Sequence, residues 1–359
     1  MSHLRALPRI VGSFAWTFAI ALLCAVAIAQ PAPPAAATSS AGSEQPYHVI
    51  DHWKIGGEGG WDYLIADPGA HRLYLAHGTQ VDVVDTTTGK SIGAITGLHG
   101  VHGIALDTAG KFGYISDGGG NAVVAFDRSA LAVVATIPAG TNPDCIIFEP
   151  ATQTVWAFNG RSQSISVINP ISNAVVATIP LTGKPEFAVA DGQGTVFDNL
   201  EDKSEIVRID ARTKTVLGTW PAGCDSPSGL ALDAAGHRLF PVCDGKKMSV
   251  IDSTTGKLLA NPSIGDGPDA AGWSAAHSLA FASSRDGILS VIDAAAPGYP
   301  TIESLTTQSG ARTMAYDSGT DRIYLVTAEF GPRPDPTPQN PRPRPPVIPG
   351  TFTVIVVGR

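Results

Sequence analysis

Charge is scarce in this chain: only 16% of its 359 residues are Asp, Glu, Lys or Arg. Basic residues are the rarer kind, 24 against 32 acidic, which leaves a net charge of −8. Without a basic stripe to neutralise phosphates, a nucleic-acid partner is not expected. Cysteine is also sparse, with four in all. The familiar catalytic signatures are missing: there is no Gly-x-Ser-x-Gly elbow, no His-Glu-x-x-His and no Cys-x-x-Cys. Gly89-Lys90-Ser91 looks like the end of a phosphate loop, but no glycine stands five residues before Gly89 and no helix is expected after it. Glycine and proline, by contrast, are plentiful, at 39 and 28 residues in a chain that is 43% apolar. That mixture suits an all-β protein with many tight turns and excludes a helical one.

The N-terminal residues read as a separate unit. His3, Arg5 and Arg9 precede an apolar run from Ile10 to Ile28, and Ala27-Ile28-Ala29 supplies a small-x-small cleavage site. This predicts a secretory signal peptide over residues 1–29, cut before Gln30, and hence a periplasmic or secreted protein. An uncleaved membrane anchor is the alternative, since ~18 apolar residues can span a bilayer. Leu23, directly before Cys24, argues against lipoprotein processing. Residues 30–46, rich in Pro, Ala and Ser, read as a flexible leader that cannot pack. Cys145, Cys224 and Cys243 remain in the mature chain. Cys224 and Cys243 fall in one hairpin neighbourhood, and an oxidising compartment allows them to pair, leaving Cys145 as a lone buried thiol.

Beyond the leader, seven aromatic residues recur at nearly even spacing: Tyr74, Tyr114, Trp156, Phe197, Phe240, Phe281 and Tyr324, at steps of 40, 42, 41, 43, 41 and 43. A period of forty-odd residues with strand-like patterning inside each unit is the mark of a β-propeller. In the second unit Val101 to Asp107, Phe112 to Asp117, Ala122 to Phe126 and Ala132 to Ile137 read as four short strands, which make one blade. The third strands close on Asp85, Asp127, Asn169, Asp210, Asp252 and Asp293, short side chains that cap a turn through their own backbone. The seventh unit has strands at Ala311 to Asp317, Arg322 to Thr327 and Thr351 to Val357, and then no fourth. Tyr47 to Ile55 is strand-like and has no blade of its own. Pairing it into blade seven closes the ring and removes two exposed sheet edges. Residues 47–359 are therefore expected to form one seven-bladed propeller of four-stranded antiparallel blades, and a monomer.

The second-strand motifs Tyr74-Leu75-Ala76-His77, Tyr114-Ile115-Ser116-Asp117 and Tyr324-Leu325-Val326-Thr327, with Val81 to Asp85 as a Val-x-Val-x-Asp-like third strand, resemble the YVTN-repeat, YncE-like seven-bladed propellers. The resemblance covers roughly residues 47 to 359. It departs in blades four and five, at Phe197-Asp198-Asn199-Leu200 and Phe240-Pro241-Val242-Cys243. It implies an exported bacterial protein with a ring closed by its N-terminal strand, and no transferable catalytic residue.

Laying the units over one another exposes a second column, at the start of each innermost strand: Asp62, His102, Asp144, Glu186, Ser228, Asp269 and Arg312. Innermost strands line the central channel, so these seven side chains are expected to ring one mouth of it. Crowded carboxylates raise one another's pKa unless a cation compensates, and Arg312 can offset only one. Three readings stay open: a hydrated channel mouth, a site for a small polar ligand or glycan, and a divalent cation such as calcium held by Asp144, Glu186 and His102. His77 and His99 are expected on the same face and would strengthen the metal reading if they converged. A non-catalytic binding role is the leading expectation. A metal-dependent hydrolase or lactonase using the ring is the alternative, and a quinone-cofactor dehydrogenase is poorer because no cofactor-stacking set is evident. Gly331 to Gly350, between strands two and three of blade seven, holds nine Pro and three Arg (Arg333, Arg342, Arg344). It favours an extended polyproline conformation, read either as a stiff surface loop or as a docking element for a protein partner.

Overall fold

Every repeat folds into an antiparallel sheet, and seven such blades make a β-propeller. The computed structural model describes residues 12–13, 45–337, 340–341 and 343–359. The expected signal peptide and most of the leader lie outside the described residues. Among the described residues no helix is long and apolar enough to cross a membrane. Blade 2 shows the pattern with strands Val101–Leu106, Phe112–Asp117, Ala122–Asp127 and Ala132–Pro138, paired in that order. Blade 5 departs from it. Pro241 accepts a hydrogen bond from the Ser249 amide at 2.9 Å but has no N–H to return, and the third strand is broken there into Lys247–Met248 and Val250–Asp252.

The apolar core lies between blades rather than within them. One cluster joins Leu73, Leu75 and Val84 of blade 1 to Tyr324, Val326 and Val354 of blade 7. Another joins Tyr74 and Val83 of blade 1 to Ile115 and Phe126 of blade 2. The repeating aromatics sit in these seams: Tyr74, Tyr114, Trp156, Phe240, Phe281 and Tyr324 are fully buried. The third-strand column caps its turns as its chemistry requires. Asp85 Oδ1 accepts from the amides of Thr87 and Thr88 at 2.9 and 2.8 Å, and Asp252 Oδ1 from those of Thr254 and Thr255 at 2.9 and 2.8 Å. Arg128 ties blades together, pairing while buried with Asp67 of blade 1 and Asp107 of blade 2.

Ring closure follows the expected route. Thr313–Asp317, Arg322–Thr327 and Thr353–Gly358 form the inner three strands of blade 7, and His48–Lys54 pairs antiparallel with the last of them. Trp53 packs on Tyr324 at 5.5 Å between ring centroids, and Tyr47 meets Phe281 edge-on at 5.4 Å. The innermost strand of blade 7 then packs on that of blade 1, Trp61–Asp67. Cys224 and Cys243 are joined by a disulfide, and Cys145 is a buried free thiol.

Candidate ligand site at the channel mouth

The ring column owes its reach to a repeated backbone irregularity. In blades 1 to 6 the innermost strand carries a β-bulge just after its first paired residue. In blade 1 the register runs Trp61↔His77 and then Leu64↔Leu75, and in blade 3 Pro143↔Asn159 and then Ile146↔Ala157. The extra residue leaves Asp62, His102, Asp144, Glu186, Ser228 and Asp269 off the ladder, and a bulge is a device for re-aiming a side chain. Neighbouring blades pin these backbones. Asn199 Nδ2 donates to the Ser228 carbonyl at 2.7 Å, Ser283 Oγ to that of Arg312 at 2.6 Å, and Ser116 Oγ to that of Asp144. The blades approach so closely here that a Cβ on Gly229 would meet the Ala270 Cα at 2.6 Å.

The seven side chains fall into smaller sets. Asp62, His102 and Asp144 form one: His102 Nδ1 lies 2.6 Å from Asp62 Oδ2 and 3.6 Å from Asp144 Oδ1. One ligating atom from each can be chosen with all three within 4.8 Å of one another, so these residues are the set able to hold a cation. Glu186 is outside that set. It pairs instead with Lys184, whose Nζ is 2.8 Å from its Oε2, and Lys184 also reaches Glu201. Asp269 pairs with Arg312, which stands 4.0 Å from Asp62. Ser228 is buried, and its hydroxyl donates to the Pro268 carbonyl at 3.0 Å. Its role is to tether adjacent innermost strands. The other two histidines stay apart from His102: His77 is buried against Asp82 at 2.8 Å, and His99 sits 3.0 Å from Asp117 with its side chain 72% exposed.

Burial decides the electrostatics. It raises the Asp144 pKa to about 6, with Asp62 adding and His102 opposing. Burial likewise takes Asp269 to about 6 against the pull of Arg312. Glu186 rises to about 8, because burial and the Asp144 charge outweigh Lys184. Burial alone would lower the His102 pKa, yet its hydrogen bond to Asp62 and the charges of Asp144 and Glu186 hold it above the ordinary value. At the mouth Asp144, Glu186 and Asp269 thus titrate near neutrality, beside His102, Lys184 and Arg312.

Several residues of the site stand outside the repeat column. Tyr63 of blade 1 and Phe187 of blade 4 meet at 4.9 Å, although their blades are not neighbours. They therefore join across the channel, as a floor under the charged ring. The buried Tyr63 hydroxyl has its pKa raised first by burial, then by the charges of Glu186, Asp269, Asp144 and Asp62, which places it among all four. Below that floor a cavity of about 530 Å³ is lined mainly by apolar residues of the innermost strands, including Ile104, Ile146 and Met314. Asp198 is fully buried behind the ring. Burial and the Glu186 charge push its pKa well above the usual carboxylate range, against the weaker pull of the Glu186 backbone amide. Lys184 and Phe187 flank a ring residue in sequence. Their nearness to Glu186, within two residues, is the one sequence signal that points to them.

Among known proteins, no family model matches the chain, and no curated protein matches it either. Solved structures do. A chain of the hydrazine synthase of Kuenenia stuttgartiensis is similar at a TM-score of 0.67 and 15% identity, over 75% of this chain and 92% of that one. The U3-55K structure is similar at a TM-score of 0.69 and 11% identity, over 86% and 98%. The WD40 repeats of RRP9 are similar at 0.71 and 11%, over 87% and 97%. At these identities the likeness shows the propeller fold alone.

Proposed function

We propose that the chain is an exported, non-catalytic propeller of the YVTN-repeat, YncE-like kind that binds a small polar ligand or a protein partner at the channel mouth. The observation that carries this reading is the bulge column. It frees six ring side chains from their ladders, and the charged ones gather over an aromatic floor, where an incoming polar group meets desolvated partners. The second and third strands of blade 7 are joined by the Pro-rich insert, which emerges on the same face as the ring and offers a partner a stiff edge. Export rests on the N-terminal sequence, with its basic start, apolar run and small-residue cleavage site.

A thermal-shift screen of the full chain against divalent ions and sugar lactones, repeated on Asp144→Ala and Glu186→Ala, tests the reading. Binding abolished by the substitutions, with folding intact, supports it; binding that survives both removes the ring as the site. The Asp62, His102 and Asp144 set favours one rival, a metal-dependent hydrolase or lactonase. That rival requires a chelator-sensitive activity and a melting temperature raised by calcium or another divalent ion. A flat response to divalent ions rejects it.

A further inference from the structure

The insert of blade 7 brings charge of the opposite sign to the same mouth. Proline offers no amide donor, so the few donors present decide where such a segment is anchored. Here a short ladder closes its base: the Gly331 amide donates to the Pro346 carbonyl at 2.8 Å, the Ile348 amide to that of Glu329 at 2.8 Å, and Phe330 bridges Val347. Arg333 and Arg344 each lie two residues beyond the Gly331–Pro346 rung of this ladder. Arg285 comes from the corresponding loop of blade 6, between strands Leu279–Ser284 and Ile288–Asp293. With the ring residue Arg312, they line one cavity of about 510 Å³, together with the rings of Trp61 and Phe330.

Among the described residues no carboxylate lines that cavity. Arg312 is matched by Asp269, but among the described residues Arg285, Arg333 and Arg344 form no ion pair. The crowding is felt: burial and the charges of Arg312 and Arg344 outweigh the opposite pull of Asp269 and Asp244 and hold the Arg285 pKa below the ordinary guanidinium value. Guanidiniums are planar forks that bind carboxylate or phosphate through two parallel hydrogen bonds, and such charge-assisted pairs are the strong ones. The cavity volume is in the range that encloses a small ligand.

We infer that this arginine-lined cavity binds a small ligand carrying a multiply charged oxyanion, carboxylate or phosphate, with an apolar or aromatic body set against Trp61 and Phe330. The inference rests on the channel mouth being the binding face and adds the charge and shape of what binds there. The carboxylate ring beside it then excludes a second anion and favours a polar or cationic group at the ligand's other end.

The experiment is isothermal titration calorimetry of the full chain at low salt with inorganic phosphate, citrate and phenyl phosphate, and glucose as the uncharged control. The anions should bind, phenyl phosphate should exceed inorganic phosphate, and glucose should give no heat. Arg333→Gln combined with Arg344→Gln should weaken binding by ~10-fold or more, since two charge-assisted contacts are lost. Citrate bound more tightly than the phosphates assigns carboxylate as the natural group, and the reverse order assigns phosphate. Absence of anion binding at millimolar concentration overturns the inference, as does equal affinity in the double variant. Both arginines are exposed, and Arg285→Gln, on another blade, repeats the test if the double variant misfolds. Should anions fail while a neutral or cationic ligand is lost on Asp144→Ala, the inference alone falls. If the mouth binds nothing at all, the functional reading falls with it.

Discussion

Replacing Glu186 with Gln should change how stability depends on pH more than it changes stability at any one pH. The Glu186 side chain is 14% exposed, and its pKa in the fold is raised from 4.5 to about 8. A carboxyl whose folded pKa lies above its unfolded value binds its proton more tightly in the fold. Its stabilising effect is therefore complete below about pH 4 and is lost as pH rises from there toward 8. Each pH unit in that window is worth ~1.4 kcal/mol, so the ceiling at pH 7.5 is ~4 kcal/mol. Asp144, whose carboxyl titrates in the same window, takes a share, which leaves ~2 kcal/mol for this residue. Glutamine keeps the shape and never ionises. Glu186→Gln should thus match the wild type near pH 4 and exceed it by ~2 kcal/mol at pH 7.5, or several degrees in melting temperature. Urea unfolding at half-unit pH steps measures the difference directly. A gap that stays constant from pH 4 to 8, or that favours the wild type at pH 7.5, refutes the account of the ring.

Three further substitutions probe the scaffold. Arg128→Ala strands the buried carboxylates of Asp67 and Asp107 and should cost ~3–5 kcal/mol in urea unfolding; a loss under ~1 would deny the inter-blade pairing its importance. Cys224→Ser with Cys243→Ser opens a link of sequence separation 19 and should cost ~3 kcal/mol, a difference that must vanish when both proteins are compared in reductant. Tyr63→Ala removes the channel floor and should cost ~3 kcal/mol, while admitting an environment-sensitive apolar dye to the cavity beneath; an unchanged dye signal would show that the ring is not closed from below.

Much of this fold is written in two columns of the sequence. The aromatics from Tyr74 to Tyr324 keep their spacing because each fills one blade seam, and Asp85 and its equivalents keep theirs because each caps one turn. The column at Asp62 is legible for the same reason: the bulge recurs near the start of the innermost strand in blades 1 to 6. What does not repeat is harder to read. Lys184 and Phe187 occur in one blade only, so no other unit points to them. The meeting of Phe187 with Tyr63 depends on the diameter of the ring, which no local pattern encodes. Ser228 shares the column but faces a carbonyl, because a short hydroxyl reaches the next strand's backbone before it reaches the channel. His77 and His99, expected on the same face as His102, are each held by an aspartate of their own.

The seam in blade 7 also has a mechanical side. His48 pairs with Gly358 and Lys54 with Thr353, so the chain enters and leaves the propeller at the same end of one antiparallel ladder. Tension applied through the two ends loads the His48–Gly358 rung first and each later rung in turn, as a zipper opens, with no stage at which all the rungs share the force. The strand that closes the circle is therefore the place where a pulled propeller opens. Blade 7, once parted from His48–Lys54, exposes the edge of Thr353–Gly358, and the remaining blades then come away from that end of the ring.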